Sequence, residues 1–135
     1  MNVLKWLNRA RVMEWNIRIL EAEEASIRAR MENVTPNYNG DVATGSKDPH
    51  KLDQLAIVSG DLQLSRDELE TVRAEIRRAL NKLPNNRERL ALRLYYLRGL
   101  PWPKVANALH VSVRRVLDIR KDAIEHIAPI IEEEK

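Results

Sequence analysis

The sequence predicts an all-α protein, a long N-terminal helical hairpin of coiled-coil character followed by three shorter C-terminal helices. Three observations carry this. Apolar residues recur at alternating steps of three and four over two long stretches, as one face of a helix requires. No run alternates apolar and polar residues in the manner of a half-buried strand. Charged residues make up 32% of the 135, and only four glycines occur, a balance that suits long, solvent-bathed helices.

The first arm is marked by Trp6, Ala10, Met13, Ile17, Leu20, Glu24, Ile27 and Met31, a heptad seam with one polar member, Glu24. The second is marked by Leu55, Val58, Leu62, Ser65, Leu69, Val72, Ile76, Ala79 and Leu83. Between them residues 34–48, with Pro36, Gly40 and Gly45, read as a polar loop. Asp48 before Pro49 reads as an N-cap with proline in the first helical position. The two seams can pair within one chain or zip with a second copy, and the spacing leaves both open. Either way residues 1–82 read as an interaction or oligomerisation segment.

Pro84 disfavours helical geometry at the residue before it and so ends the second arm near Leu83. A helix over about 86–97 follows, with Leu90, Leu94 and Leu97 on its apolar face. Gly99 is placed for a left-handed cap. A second helix covers about 102–109, with Pro103 tolerated in its first turn. His110 and Val111 make a tight turn, and Ser112 is an N-cap for a third helix over about 113–127 that Pro129 terminates. Residues 129–135, with Glu132, Glu133 and Glu134, read as an acidic tail.

Charge is distributed unevenly. Residues 1–83 are balanced, whereas 84–128 hold nine Lys and Arg against four Asp and Glu. A basic third of this kind is the footprint of a polyanion-binding module. Its apolar spacing is that of a helix-turn-helix: Val105 and Ala106, then Leu109 and Val111 around the turn, then Val116, Ile119, Ala123 and Ile127. Such a domain, over 83–128, is expected to bind double-stranded DNA with the helix over about 113–127 in the major groove. Arg114, Arg115, Asp118 and Lys121 would face outward near its leading end, where the Ser112 cap also presents backbone N–H groups. Arg120, Lys121 and Lys104 are candidates for phosphate contacts, and Val113 and Leu117 for thymine methyl groups or a protein partner. Trp102 reads as a core anchor between helices.

Nothing assembles a reaction. His50, His110 and His126 are far apart, no nucleophile motif or glycine-rich phosphate loop occurs, and there is no cysteine for a disulfide or a zinc thiolate. No enzyme, catalytic residue, cofactor or metal is therefore expected. No apolar run approaches the roughly 18–20 residues that span a bilayer, and the N-terminus lacks the apolar core of a secretory signal. A cytoplasmic protein without a membrane partner is the expectation.

The segment LPNNRERLALRLYYLRGLPWPKVANALHVSVRRVLDIRKDAIEHI, residues 83–127, resembles region 4 of bacterial sigma factors. It is more similar still to the ArpU/RinA-type phage transcriptional regulators, in which a long helical N-terminal part precedes a sigma-like domain. The resemblance covers about one third of the chain, with Ser112 and Arg115 carrying over best. His110 stands where that family has glycine, Lys104 where it has glutamate, and Val113 and Leu117 where sigma factors often carry basic residues. The resemblance implies a phage or prophage transcriptional regulator acting in a bacterial host cell, with RNA polymerase as a further partner and self-association through the N-terminal helices. Two alternatives belong to other classes: an adaptor that holds RNA polymerase, and a DNA-packaging component of the small-terminase kind.

Overall fold

The computed structural model describes residues 2–32 and 49–133. The expected loop over 34–48 with its Asp48 cap, and the last two residues of the expected acidic tail, lie outside the described residues. Those described are helical and contain no strand. Five α-helices follow in order: α1 Val3–Glu32, α2 Pro49–Asn81, α3 Asn86–Leu92 continued by a π-helical turn Arg93–Leu97, α4 Trp102–Ala108 and α5 Val113–Glu133. The chain packs as two compact units, one of Met1–Val12 with Leu69–Lys135 and one of Met13–Glu68.

In the Met13–Glu68 unit the seam residues turn inward. Ile17, Ile27 and Leu62 are buried, and Met13, Leu20, Met31, Leu55 and Val58 are half-buried. The polar seam member Glu24 is satisfied: its carboxylate accepts a 2.8 Å hydrogen bond from the Ser59 hydroxyl and lies 3.5 Å from the Arg28 guanidinium. Arg66 lies 3.5 Å from Glu21. Glu21 precedes Glu24 whereas Arg66 follows Ser59, so these parts of α1 and α2 run antiparallel.

The other unit holds the larger core. Leu7 and Ala10 of α1, Ile76, Ala79 and Leu80 of α2, and Leu83 are buried there, as are Leu92, Tyr96, Ala123, Ile127 and Ile131. Arg9 closes one edge with a 2.9 Å ion pair to Glu75, its guanidinium lying 4.5 Å from the centre of the Trp6 ring. Asn85 caps α3, its side-chain oxygen accepting from the backbone N–H groups of Arg87 and Glu88 at 3.0 and 3.2 Å. Such a cap contributes about 1 kcal/mol.

Three expectations are corrected. The helix over 86–97 is not α-helical throughout, because the N–H of Arg98 bonds the carbonyl of Arg93, five residues back, at 3.1 Å. The buried face also differs: Tyr96 and Leu97 are both buried, whereas Leu90, expected inside, is exposed, because Glu88, Ala91 and Leu92 take the inner side of α3. The helix ends at Leu97, so its last carbonyls lack helical partners, and guanidinium groups serve them. Arg11 donates to the Tyr95 carbonyl at 3.0 Å and Arg73 to the Leu97 carbonyl at 2.8 Å.

Pro129, finally, does not end α5, which runs on to Glu133 with the proline inside it. A proline within a helix costs about 3 kcal/mol. Burying an isoleucine recovers about 1.5–3 kcal/mol, and Ile131 is fully buried just beyond the proline, with Ile130 half-buried beside it. The lost hydrogen bond falls on the carbonyl of Glu125, an exposed residue where water can replace it. Residues 129–133 are thus part of the packed helix.

Candidate nucleic-acid interface

The candidate site is built on α4, the turn after it and the first half of α5. Pro101 stands in extended geometry before α4, its carbonyl accepting from the N–H groups of Lys104 and Val105 at 2.9 and 3.0 Å. Val105 and Ala106 on the inner face of α4 pack with Ala91 of α3 and with Val116 and Ile119 of α5. Leu94, Leu100, Leu109 and Val111 close around that cluster.

His110 makes the turn at φ 58°, the left-handed region. Its N–H bonds the Asn107 carbonyl at 3.2 Å, and the N–H of Val111 bonds the Ala106 carbonyl at 3.0 Å. That pair of bonds is a Schellman closure, which satisfies the last carbonyls of α4 and seats Val111 against the cluster. One residue later Ser112 caps α5, its hydroxyl accepting from the Arg115 N–H at 3.0 Å.

The inner face of α5 is fixed by Val116, Ile119, Ala123, Ile127 and Ile131, all buried. Helical geometry then dictates what faces out. Val113, Arg114, Arg115, Leu117, Asp118 and Lys121 are exposed, as are Ser112 and, on α4, Lys104. Val113 and Leu117 retain 45% and 43% of their accessible surface, high for large apolar side chains beside a packed core. Seven of the eight expected α5 positions, counting the Ser112 cap, therefore share the exposed side of one helix.

The eighth, Arg120, does not. It is half-buried, its guanidinium 5.6 Å from the centre of the Trp102 ring. Trp102 stacks on Tyr95 with centroids 4.2 Å apart and planes inclined by 10°, and Arg11 covers the far face of that pair at 4.3 Å from the Tyr95 ring. The result is a column of cation, two aromatic rings and cation. Arg120 is taken from the expected interface because it borders the buried face and finds the Trp102 ring and the Tyr96 hydroxyl there. Burial raises the Tyr96 hydroxyl above its ordinary value of 10.0, opposed by the Arg120 charge and its hydrogen bond. Trp102 is the anchor of this column.

Sequence reasoning did not find the column, nor the roles of Arg11 and Arg73, since residues this far apart leave no local pattern. Arg89 is likewise committed, donating to the Leu83 carbonyl and the Asn86 side chain at 3.1 and 2.7 Å. Arg87 and Arg98 remain exposed on α3 and at its end. Among the described residues no cluster of His, Cys, Asp or Glu is arranged to hold a metal, and no helix is long and apolar enough to cross a membrane. No protein-family model, curated protein or solved structure matches the chain.

Proposed function

We propose that the chain is a sequence-reading, double-stranded DNA-binding transcriptional regulator. In this reading α3 to α5 form a three-helix, sigma-region-4-like helix-turn-helix domain, and the paired α1 and α2 form the hairpin that precedes it. The observation that carries the reading is the division of α5 into two faces. One is locked into the core by Val116, Ile119 and Ala123, and the other presents Arg114, Arg115, Asp118 and Lys121 beside a serine cap.

A helix held in this way enters the major groove with its leading end against base edges. In this reading Arg114 bonds a guanine edge, where an arginine reaches O6 and N7 together, and Asp118 accepts from a cytosine amine. Arg115, Lys121 and Lys104 serve phosphates, and the basic balance of 84–128 supplies the non-specific attraction. The sequence resemblance adds a phage-type regulator working in a bacterial cytoplasm, with no catalytic step.

Fluorescence-anisotropy titration of labelled duplexes across a salt series tests this. Wild-type protein should bind with a steep salt dependence, and the Arg114→Ala/Arg115→Ala double variant should lose at least about tenfold, each arginine contact being worth about 1–3 kcal/mol. Absence of binding at low salt by folded protein overturns the reading.

A second reading is an adaptor gripping an RNA polymerase subunit, for which the exposed Val113 and Leu117 would be the apolar contact. Capture of the subunit by the arginine double variant, with no DNA bound, is its signature. Self-association is proposed through the Met13–Glu68 unit, where Trp15, Ile19, Ile57 and Leu64 are each more than half exposed. A ring-sized assembly in solution would instead favour the packaging-component reading.

A further inference from the structure

We infer that Val113 and Leu117 form an apolar reading head for the C5-methyl group of thymine, so that the DNA this chain prefers carries neighbouring thymines in the major groove. The inference rests on the DNA-binding reading and specifies its substrate. Four residues separate the two side chains, which places them on the same side of α5, one turn apart. Both are exposed, at 45% and 43%. The charged groups around them, Arg114, Arg115 and Lys121, are exposed on the same half of the helix, which favours a polyanion over a second apolar protein surface.

Within the major groove the base edges offer donors and acceptors, and the one apolar group among them is the thymine methyl. A valine or leucine pressed against guanine, adenine or cytosine would strip water from polar atoms and return no hydrogen bond. Against thymine it covers a methyl group instead. Selection therefore has two sources, burial of the methyl group and the penalty for every other base. Arg114 and Asp118, on either side of Leu117 in sequence, supply the polar contacts that orient the helix over this step.

The test uses two 20-base-pair duplexes, alternating dA·dT and the same duplex with uracil for every thymine. Uracil differs only by the missing methyl group. Anisotropy titrations at fixed moderate salt compare the wild-type full chain with the Val113→Ala/Leu117→Ala variant. Both side chains are exposed, so the variant should keep the wild-type melting temperature. Each methyl group buried is worth about fourfold in affinity, so the wild-type chain should favour the thymine duplex by about 4- to 15-fold. The variant should bind both duplexes alike.

Equal binding of the two duplexes by wild-type protein overturns the inference and leaves DNA binding intact. So does a thymine preference that persists in the variant. No binding to either duplex at low salt overturns the DNA-binding reading, and the inference falls with it. Loss of an oligomer in the variant, seen by sedimentation without any difference between the duplexes, shows the two side chains to be a protein contact and also overturns it.

Discussion

Nδ1 of His126 lies 2.6 Å from Oε1 of Glu88, joining the outer side of α5 to a carboxylate that is buried at the start of α3. Glu88 is 5% exposed, the one charged residue among the buried ones described. A carboxylate in that setting requires a partner, since an unpaired buried charge is strongly destabilising. The hydrogen bond that Glu88 accepts, and next its charge, raise the imidazole above its ordinary 6.5; desolvation opposes them, and Asp122 and Glu125 add smaller contributions.

A pH dependence follows with a definite sign. The folded-state value lies above the unfolded one, so the stabilisation is fully present below about pH 6.5 and is lost as pH rises through the folded value. Melting temperature should fall as pH rises above about 6.5, and His126→Gln should flatten that slope while keeping a neutral donor near Glu88. An unchanged slope in the variant would remove His126 as its source.

The left-handed turn residue gives a second expectation. A non-glycine residue at φ 58° bears a steric cost that glycine does not, whereas glycine adds entropy to the unfolded chain. The first effect is the larger, so His110→Gly should stabilise by about 0.5–1 kcal/mol. His110→Val, β-branched in the same geometry, should destabilise by more than about 1 kcal/mol. Urea midpoints of the three proteins decide it, and a less stable glycine variant would contradict the account.

The cap of α5 is separable from its outward charges. Ser112→Ala removes the acceptor for the Arg115 N–H and should cost about 1 kcal/mol. Ser112→Asp keeps an acceptor and places a negative charge at the helix N-terminus, so it should restore stability. The same substitution should weaken binding to DNA phosphates. Chemical denaturation and anisotropy on the same samples would reveal whether those two effects part company.

Neighbouring cations should behave differently. Arg120 is held against Trp102 and Tyr96, so Arg120→Ala should lower the unfolding midpoint and leave the salt dependence of DNA binding unchanged. Lys121 is exposed, and Lys121→Ala should spare stability while reducing the salt slope by about one. Trp102→Ala, which dismantles the column, should cost about 3 kcal/mol, the low end for a half-buried tryptophan. A reversed pattern for Arg120 and Lys121 would mean that their surroundings have been exchanged in this account.

The long seams were legible because a helical period needs only near neighbours. Every position of both seams, from Trp6 to Met31 and from Leu55 to Leu83, is buried or half-buried. The tight turn at His110 and the Ser112 cap were legible for a similar reason, since each is decided by backbone geometry within a few residues. Arg120 was not, because it follows Ile119 at the edge of the buried stripe and its neighbours come from α3 and α4. Nor was the π turn, whose carbonyls are served by Arg11 from 84 residues away and Arg73 from 24. Pro129 was misread because its local cost was weighed without the burial of Ile131.

The π turn also fixes how this chain tolerates changes in length. It carries one more residue than a regular helix needs to cover the same number of turns. Deleting one residue between Arg93 and Leu97 would thus leave an α-helix of the same number of turns, and the chain would leave α3 on nearly the same heading. A residue lost from Asn86–Leu92, which is regular α-helix, would instead rotate everything after it by about 100°. The π turn therefore absorbs a change of length that would re-aim α4 and α5 if it were made in α3 itself.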